Sequence, residues 1–158
     1  SFCVTASPVS GNTPTRVNHQ LVYGKRGGLE TSINVSLDTP NAFRPAGKTS
    51  FVSGQVPVSN QLCSTIGILG QMPGRSEANF EITYYGLEGE LARRDYALHD
   101  GSAVVLDVIK TIGNCLNEKN LEEQTYIWYL IQSQRSDLSA YVVTHDVDTN
   151  HVSGEHSF

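Results

Sequence analysis

Residues that could bind a metal ion are concentrated near the carboxyl end of the chain. One short segment contains six candidate ligands: His145, Asp146, Asp148, His151, Glu155 and His156. Zinc is usually held by three or four ligands that converge from rigid elements, and calcium needs several oxygen ligands around a loop with a central glycine. Because most of the segment lies beyond the last predicted strand and lacks the calcium loop, we expect a solvent-exposed tail and no metal site.

Two glycine-containing segments match nucleotide-binding motifs only in part. The segment 45–50 (PAGKTS) ends like a phosphate-binding loop, but Ala42 occupies the position of its first glycine. A strand-like segment follows where that motif requires a helix. The segment 67–74 (GILGQMPG) lacks the glycine spacing of a dinucleotide fingerprint. Both segments are therefore predicted to be turns or loops, and no cofactor is expected.

Groups suited to nucleophilic or acid–base catalysis are not arranged in a known motif. No serine lies in a G-x-S-x-G elbow, and no cysteine lies in a nucleophile signature. Asp95, Asp100 and Asp107 could pair across strands as acid and base, but carboxylates at surface turns account for them equally well. We expect a protein that is not an enzyme and has no catalytic residues.

A candidate modification site lies in the first quarter of the chain. Asn34, Val35 and Ser36 form an N-x-S acceptor for an N-linked glycan. They belong to the segment 29–40, in which apolar and polar residues alternate, so the segment is predicted to be a half-buried strand. The alternation places Asn34 on the solvent face. We expect it to carry a glycan when the protein is secreted from a eukaryotic cell.

The elements that position these residues are predicted to be strands separated by turns. The strand-like segments are 2–7, 19–24, 49–59, 61–69, 79–86, 102–113, 124–134 and 138–147. Glycine and proline make 49–59 and 61–69 edge or bulged strands. The last two segments are predicted to form a closing hairpin, and 116–123 a helical turn. A helix over the aromatic part of 124–134 is the less favoured alternative.

Alternation within these segments also predicts which residues are buried. The predicted core includes Ile33, Val35, Ile82, Leu106, Val108, Trp128, Leu130 and Val142. Aromatic residues of the second half are candidates for a contact surface, because half of an alternating strand faces away from its own core. They are Tyr84, Tyr85, Tyr96, Tyr126, Trp128, Tyr129 and Tyr141. The alternative is that these tyrosines pair with each other across strands.

Composition limits the class of protein and its partners. The 158 residues fit one domain, and the net charge of −5 disfavours nucleic acid, which requires a basic surface. A cationic partner is compatible with that charge. No segment approaches the roughly 18 apolar residues that span a membrane. The low charged fraction, 17%, points to an extracellular β domain.

The cysteines and the chain ends leave alternatives open. Cys3, Cys63 and Cys115 would be reduced in a cytosol, whereas in a secreted protein one pair would form a disulfide, and the third would be free or bonded to another chain. The sequon favours secretion. Residues 157–158 repeat the first two residues, Ser-Phe. We therefore predict one domain over 1–156, with 157–158 as the start of a next repeat or a tail.

Taken together, these features resemble a known family. An acidic all-β unit of this length, with a cysteine in its first strand, a sequon and an apparent repeat junction, is similar to the tandem repeats of the abalone egg-coat receptor for sperm lysin. Those repeats resemble divergent zona-pellucida N-terminal (ZP-N) domains. The resemblance extends over the whole chain and rests on length and layout. It implies an all-β, immunoglobulin-like (ZP-N type) antiparallel β-sandwich.

The resemblance also implies roles for the cysteines. Cys3 takes the first-strand cysteine position of the family. The family pattern has four cysteines where this chain has three, so the connectivity stays open. The pairing that we favour on the resemblance is an internal Cys63–Cys115 disulfide, with Cys3 available to join chains.

The implied function is structural and recognitional. Such repeats build the egg vitelline envelope, an extracellular matrix, and the basic sperm protein lysin binds them during fertilisation and loosens the coat without hydrolysis. The expected partners are lysin and neighbouring egg-coat repeats or chains. The alternative is a secreted or fimbrial adhesin or lectin domain that binds a glycan or a cell surface, with aromatic platforms beside Asn or Asp.

Overall fold

The computed structural model describes residues 10–11, 17–24, 30–37, 49–70, 77–99, 102–134 and 138–157. These residues form ten strands and two short helices. In chain order the elements are β1 (Val17–Gly24), β2 (Glu30–Leu37), β3 (Ser50–Val58), β4 (Leu62–Gly70), β5 (Glu77–Gly86), β6 (Gly89–His99), β7 (Ala103–Asp107), α1 (Val108–Ile112), α2 (Glu118–Glu122), β8 (Thr125–Ser133), β9 (Leu138–Asp146) and β10 (Val152–His156). A single 3-10 turn, Gly113–Cys115, follows α1.

Eight of the strands form two four-stranded antiparallel sheets, with the orders β3-β8-β5-β6 and β10-β9-β4-β7. We call them the first and the second sheet. The strands β1 and β2 form a separate two-stranded ribbon, and β2 runs beside β10. The all-β antiparallel sandwich predicted from the sequence is confirmed at this level.

The strand pairing is nested. Strand β5 pairs with β6, β4 with β7, and β3 with β8, as in one long hairpin folded about the β5–β6 turn. That hairpin is then wound so that β8 meets β5 and β9 meets β4. Three nested pairs wound in this way are the inner part of a jelly-roll arrangement, and β10 lies beside β9 where the outermost strand of a jelly roll would be. This strand order differs from the constant-type immunoglobulin order, in which the sheets are ABED and CFG.

The core lies between the two sheets, and its side chains come from both. The first sheet contributes Val56, Val58, Phe80, Ile82, Tyr84, Ala92, Leu98, Ile127, Tyr129 and Ile131. The second sheet and α1 contribute Ile66, Ile68, Leu106, Val108, Ile112, Leu138, Ala140 and Val142. Burial of this apolar surface is the main stabilising contribution to such a fold.

Half of the predicted core is confirmed. Ile82, Leu106, Val108 and Val142 are buried. The prediction for Trp128 is wrong, because β8 turns Ile127, Tyr129 and Ile131 inward and leaves Trp128 45% exposed. Leu130 is only partly buried. The side chains of Ile33 and Val35 lie outside what the structure describes, as does the predicted strand 2–7.

Several predicted elements need correction. Strands β8 and β9 do not form a hairpin, because they belong to different sheets. Strand β4 lies inside the second sheet rather than at an edge, whereas β3 does lie at an edge, as predicted. The helical turn predicted over 116–123 is confirmed by α2, and the aromatic part of 124–134 is a strand, as favoured.

The segment 102–113 changes from strand to helix at Asp107, where a single strand was predicted. The Asp107 carboxylate accepts a hydrogen bond from the Lys110 backbone N–H at 3.1 Å, so Asp107 caps α1. Val108 and Ile112, one helical turn apart, are both buried. The spacing of Val108 and Ile112 is therefore that of a helix, although the composition of the apolar run is typical of a strand.

Replacing Asp107 by alanine is expected to lower the free energy of unfolding by about 1 kcal/mol, because the first turn of α1 loses its cap. The Lys110 backbone hydrogen bond holds the pKa of Asp107 below its ordinary value. The stabilisation is therefore present above the ordinary carboxyl pKa and is lost as pH falls through the lowered value. Urea unfolding at about pH 7 and about pH 3 measures this, with the exposed turn variant Asp148→Ala as control. An unchanged difference between wild type and Asp107→Ala at the two pH values contradicts the assignment.

Candidate functional site

The outer face of the first sheet carries the most distinctive exposed chemistry among the described residues. Alternation along β8 sends one set of side chains into the core and presents the other set to solvent. The same alternation operates in β3 and β5, the two strands on either side of it. The outer face therefore has rows of side chains that run across the strands, and it divides into two parts.

The first part is an aromatic patch formed by Pro57, Tyr85, Tyr126 and Trp128. In the strand register Pro57 lies opposite Tyr126, and Tyr85 lies opposite Trp128. Tyr126 is 47% exposed and Trp128 is 45% exposed. Large aromatic side chains with this exposure on successive outward-facing positions of a strand are typical of contact surfaces, because they offer rigid apolar area with a polar tip.

A crevice adjoins the aromatic patch between the edge strand β3 and the overhanging strand β10. Its volume is about 290 Å³. It is lined by Gln55, Pro57, Tyr126, Val142, Thr144, Ser153 and Glu155. Because β10 extends the second sheet beyond β9, its inward positions Ser153 and Glu155 are exposed there. The crevice gives the flat patch a concave border.

The second part is a polar groove at the opposite end of the same face, with a volume of about 640 Å³. Its lining includes the polar side chains of Thr49, Asn79, Glu81, Asp95, Gln132 and Gln134, together with Phe80, Tyr96, Ala97 and Ser133. One complete row crosses all four strands there, since Phe51 lies opposite Gln132, Gln132 opposite Glu81, and Glu81 opposite Asp95. Phe51, at the edge of the row, is 55% exposed.

An arginine on β6, Arg93, forms ion pairs with two acidic residues of this face. Arg93 Nη2 lies 2.8 Å from the Glu90 carboxylate, and Arg93 Nη1 lies 3.4 Å from Glu81. The hydrogen bond from Arg93 lowers the pKa of Glu90. These groups are solvent-exposed, so the pairs contribute little to stability and chiefly set the local charge.

Some of the aromatic residues predicted as candidates for a contact surface are exposed and others are buried; the contact itself stays a prediction. Tyr126 and Trp128 are exposed, whereas Tyr84 and Tyr129 are almost completely buried between the sheets. Tyr85, Tyr96 and Tyr141 are intermediate. Phe51, outside the predicted set, belongs to the same outer face, and the alternation of 49–59 was the signal that could have revealed it.

For the predicted glycosylation site the structure describes only the position of the backbone. Asn34 lies in β2, opposite Gln20 of β1, and its side chain is outside what the structure describes. Ser32, two positions earlier in the same strand, is exposed. Glycosylation of Asn34 stays a prediction.

The cysteine pairing also stays a prediction. Cys63 on β4 and Cys115 in the 3-10 turn are both exposed and are free thiols in this structure. Cys3 lies outside the described residues, so the intermolecular bond predicted for it has no structural counterpart here.

The carboxyl-terminal segment is an ordered hairpin, so the solvent-exposed tail predicted for it is wrong. Asp146 Oδ1 accepts hydrogen bonds from the backbone N–H groups of Asp148, at 2.9 Å, and Thr149, at 3.0 Å. These bonds lower the pKa of Asp146 and fix the turn into β10. No group of three metal-ligating side chains occurs among the described residues.

Ser157 is part of the folded domain. Its backbone N–H donates to the Ala140 carbonyl at 3.0 Å, and its side chain is hydrogen-bonded to the Tyr129 hydroxyl. Ser157 is only 4% exposed. The sequence predicts that the domain ends at residue 156 because residues 157–158 repeat the first two residues of the chain. The repeat junction inferred from that match stays a prediction.

No protein-family model, curated protein or solved structure matches this chain. In the parts of the chain that the structure describes, no helix has the length and apolarity to cross a membrane.

Proposed function

We propose that this chain is a non-enzymatic recognition domain that binds another protein through the aromatic patch. The observation that carries this proposal is the exposure of Tyr126 and Trp128 on neighbouring outward positions of β8. Burying such side chains in an interface supplies affinity, and their two-torsion side chains lose little entropy. Val142 and Thr144 at the base of the adjoining crevice offer a recess for a side chain of the partner.

A non-catalytic role is supported by the polar content of the core. Among the described residues the buried polar residues are all serines and threonines, whose hydroxyls are not acids or bases near neutral pH: Ser59, Ser64, Ser133, Thr144, Ser157 and, on the outer face, Thr83. Ser64 and Thr144 are hydrogen-bonded to each other at 3.1 Å, and Ser64 also donates to the Pro57 carbonyl. The bond from Ser64 to Pro57 joins the two sheets, and the bond to Thr144 lies within the second sheet, so both serve the fold.

The partner class that we propose is a basic protein, as the egg-coat resemblance implies for sperm lysin. The support is the net charge of −5 and two carboxylates that border the aromatic patch: Glu155 on β10, and Glu90 on β6, which is paired with Arg93. Secretion and an extracellular-matrix location belong to the same proposal. The observed strand order differs from the constant-type immunoglobulin order, so the fold adds no support for the immunoglobulin-like (ZP-N) part of the resemblance.

The test uses Trp128, the only tryptophan of the chain, as the reporter. Adding purified abalone sperm lysin is expected to protect Trp128 fluorescence from acrylamide quenching if the patch is buried in the complex. Trp128→Ala is expected to weaken binding about tenfold, measured by calorimetry. Added salt is expected to slow association more than it weakens the complex, since exposed charges are screened over about 8 Å at physiological ionic strength.

Leu87→Ala is the matched control. Leu87 is 86% exposed in the β5–β6 turn, outside the aromatic patch, so its loss should leave binding unchanged. Equal affinities for Trp128→Ala and wild type contradict the assignment of the patch. Absence of lysin binding with retained binding of another basic protein contradicts the egg-coat partner alone.

Self-assembly is a second candidate function, and the strand order favours it. Jelly-roll domains form the subunits of viral capsids as well as lectin domains. This is an analogy of fold, and function depends on the surface. Exposed Val105, on the edge strand β7, and Val147, in the β9–β10 turn, offer apolar contacts away from the patch. Sedimentation across a concentration series distinguishes a monomer from ordered assemblies.

A further inference from the structure

The polar groove is a separate site on the molecule, and we infer that it binds a neutral oligosaccharide. Phe51, opposite the groove residue Gln132, and Gln55, opposite Trp128, lie four residues apart on β3, which is about 13 Å along a strand. The row of Ser53, Leu130 and Thr83 lies between the two sites. The groove can therefore be occupied without covering Trp128, and the inference is independent of the proposed protein partner.

The side chains of the groove match the hydroxyl groups of a sugar. The amides of Asn79, Gln132 and Gln134 each place a donor beside an acceptor, and a carboxylate such as Asp95 presents two acceptor oxygens. Neighbouring sugar hydroxyls, each of them both donor and acceptor, can satisfy either arrangement. Asn79, Asp95 and Gln132 lie on three adjacent strands, and Gln134 directly follows β8, so the backbone of the site is already held in place.

An aromatic surface stands at the edge of these polar groups. Phe51 is 55% exposed and lies directly opposite Gln132 in the register. The apolar face of a pyranose ring can pack on an exposed aromatic ring while its hydroxyls reach the adjacent polar side chains. The groove is open along the sheet, which suits several linked sugars rather than one enclosed small molecule.

The charge of the groove favours a neutral ligand. Glu81 lies 3.4 Å from Arg93, which it shares with Glu90, so its charge is partly offset. Asp95 makes no ion pair within the described part of the chain, so it has its oxygens available to hydroxyl donors. An anionic glycan would be repelled by Asp95, and the three uncharged amides of the groove offer hydrogen bonds that require no charge on the ligand.

The inference is tested with a printed array of neutral oligosaccharides built from glucose, galactose, mannose, fucose and N-acetylglucosamine, applied to the full chain. Binding to at least one neutral structure is expected, followed by calorimetry with that compound in solution. Asp95→Ala, Gln132→Ala and Phe51→Ala are each expected to weaken binding about tenfold or more, because each removes a hydrogen-bonding group or the apolar platform.

Two controls match these variants in chemistry and exposure. Asp148→Ala removes an exposed carboxylate from the β9–β10 turn, and Leu87→Ala removes an exposed apolar side chain from the β5–β6 turn. Both should bind like wild type. Circular dichroism confirms that each variant is folded. Binding that survives all three groove variants places the sugar elsewhere and overturns the inference, as does an array on which no neutral oligosaccharide is bound.

Discussion

Gly54→Ala is expected to lower the free energy of unfolding by about 2–3 kcal/mol, although it adds only one methyl group. A Cβ atom at Gly54 would lie 2.5 Å from the Tyr129 hydroxyl oxygen and 2.8 Å from Tyr129 Cζ. Gly54 on β3 lies opposite Tyr129 on β8, so the tyrosine ring covers the glycine on the core side of the first sheet. The ring is 1% exposed and its hydroxyl is bonded to Ser157, so it cannot move aside freely.

Gly67→Ala is the matched control for this prediction. A Cβ at Gly67 would meet only the Tyr141 carbonyl oxygen, at 3.9 Å, which is an ordinary contact. Gly67 also lies within a strand, so both variants carry the same change in backbone entropy. Urea unfolding should show Gly67→Ala within about 0.5 kcal/mol of wild type or slightly more stable. Similar losses at both glycines would contradict the close contact at Gly54.

A second comparison isolates the contact itself. Tyr129→Phe removes the atom nearest to the added methyl group, so Gly54→Ala should cost less in that background than in wild type. The coupling energy from the double-mutant cycle is expected to be about 1 kcal/mol. Additive losses would mean that Gly54 is required for another reason.

The strands were the most predictable part of this fold. Strand β5 alternates Phe80, Ile82 and Tyr84 toward the core, as its sequence pattern indicates. The two-residue period is a local property, and one buried face is enough to fix it. For the same reason β2 occupies most of the predicted segment 29–40.

Strand β8 shows where local pattern is insufficient. Its apolar residues occupy both parities, with Tyr126, Trp128 and Leu130 on one face and Ile127, Tyr129 and Ile131 on the other. A continuous apolar run carries no alternation that would identify the inward face. Packing against Val56 and Ile82 from neighbouring strands decides the orientation, and that information is not local.

The sequence pattern also did not predict which sheet each strand joins. A connection of few residues between β8 and β9 predicts a hairpin, yet the chain crosses there from the first sheet to the second. Pairing of β9 with β4, far back in the sequence, is what places β9. The candidate sites depend on this topology, because the row from Phe51 to Asp95 joins residues of four strands that no sequence motif connects.

Two buried tyrosines of the core differ in how their hydroxyl groups are satisfied. The Tyr129 hydroxyl is hydrogen-bonded to Ser157, which is itself buried. The Tyr84 hydroxyl is buried without a hydrogen-bond partner. The Thr111 hydroxyl on α1 lies near it and donates its proton to the Asp107 carbonyl at 2.7 Å, but it does not form a hydrogen bond of ordinary geometry with Tyr84. Burial raises the pKa of both tyrosines, so both hydroxyls stay protonated at neutral pH.

Phenylalanine substitutions at these two positions are therefore expected to act differently, although each removes the same atom. Tyr129→Phe should lower the free energy of unfolding by about 2 kcal/mol, because it leaves the Ser157 hydroxyl buried without its partner. Tyr84→Phe should be neutral or stabilising by up to about 1 kcal/mol, because it removes a buried polar group that lacks a hydrogen bond. Urea unfolding of the two variants under identical conditions measures the difference. Equal destabilisation would show that the Tyr84 hydroxyl has a partner such as a buried water. A Tyr129→Phe variant as stable as wild type would contradict the stabilising hydrogen bond by which Ser157 joins the carboxyl end of the domain to the first sheet.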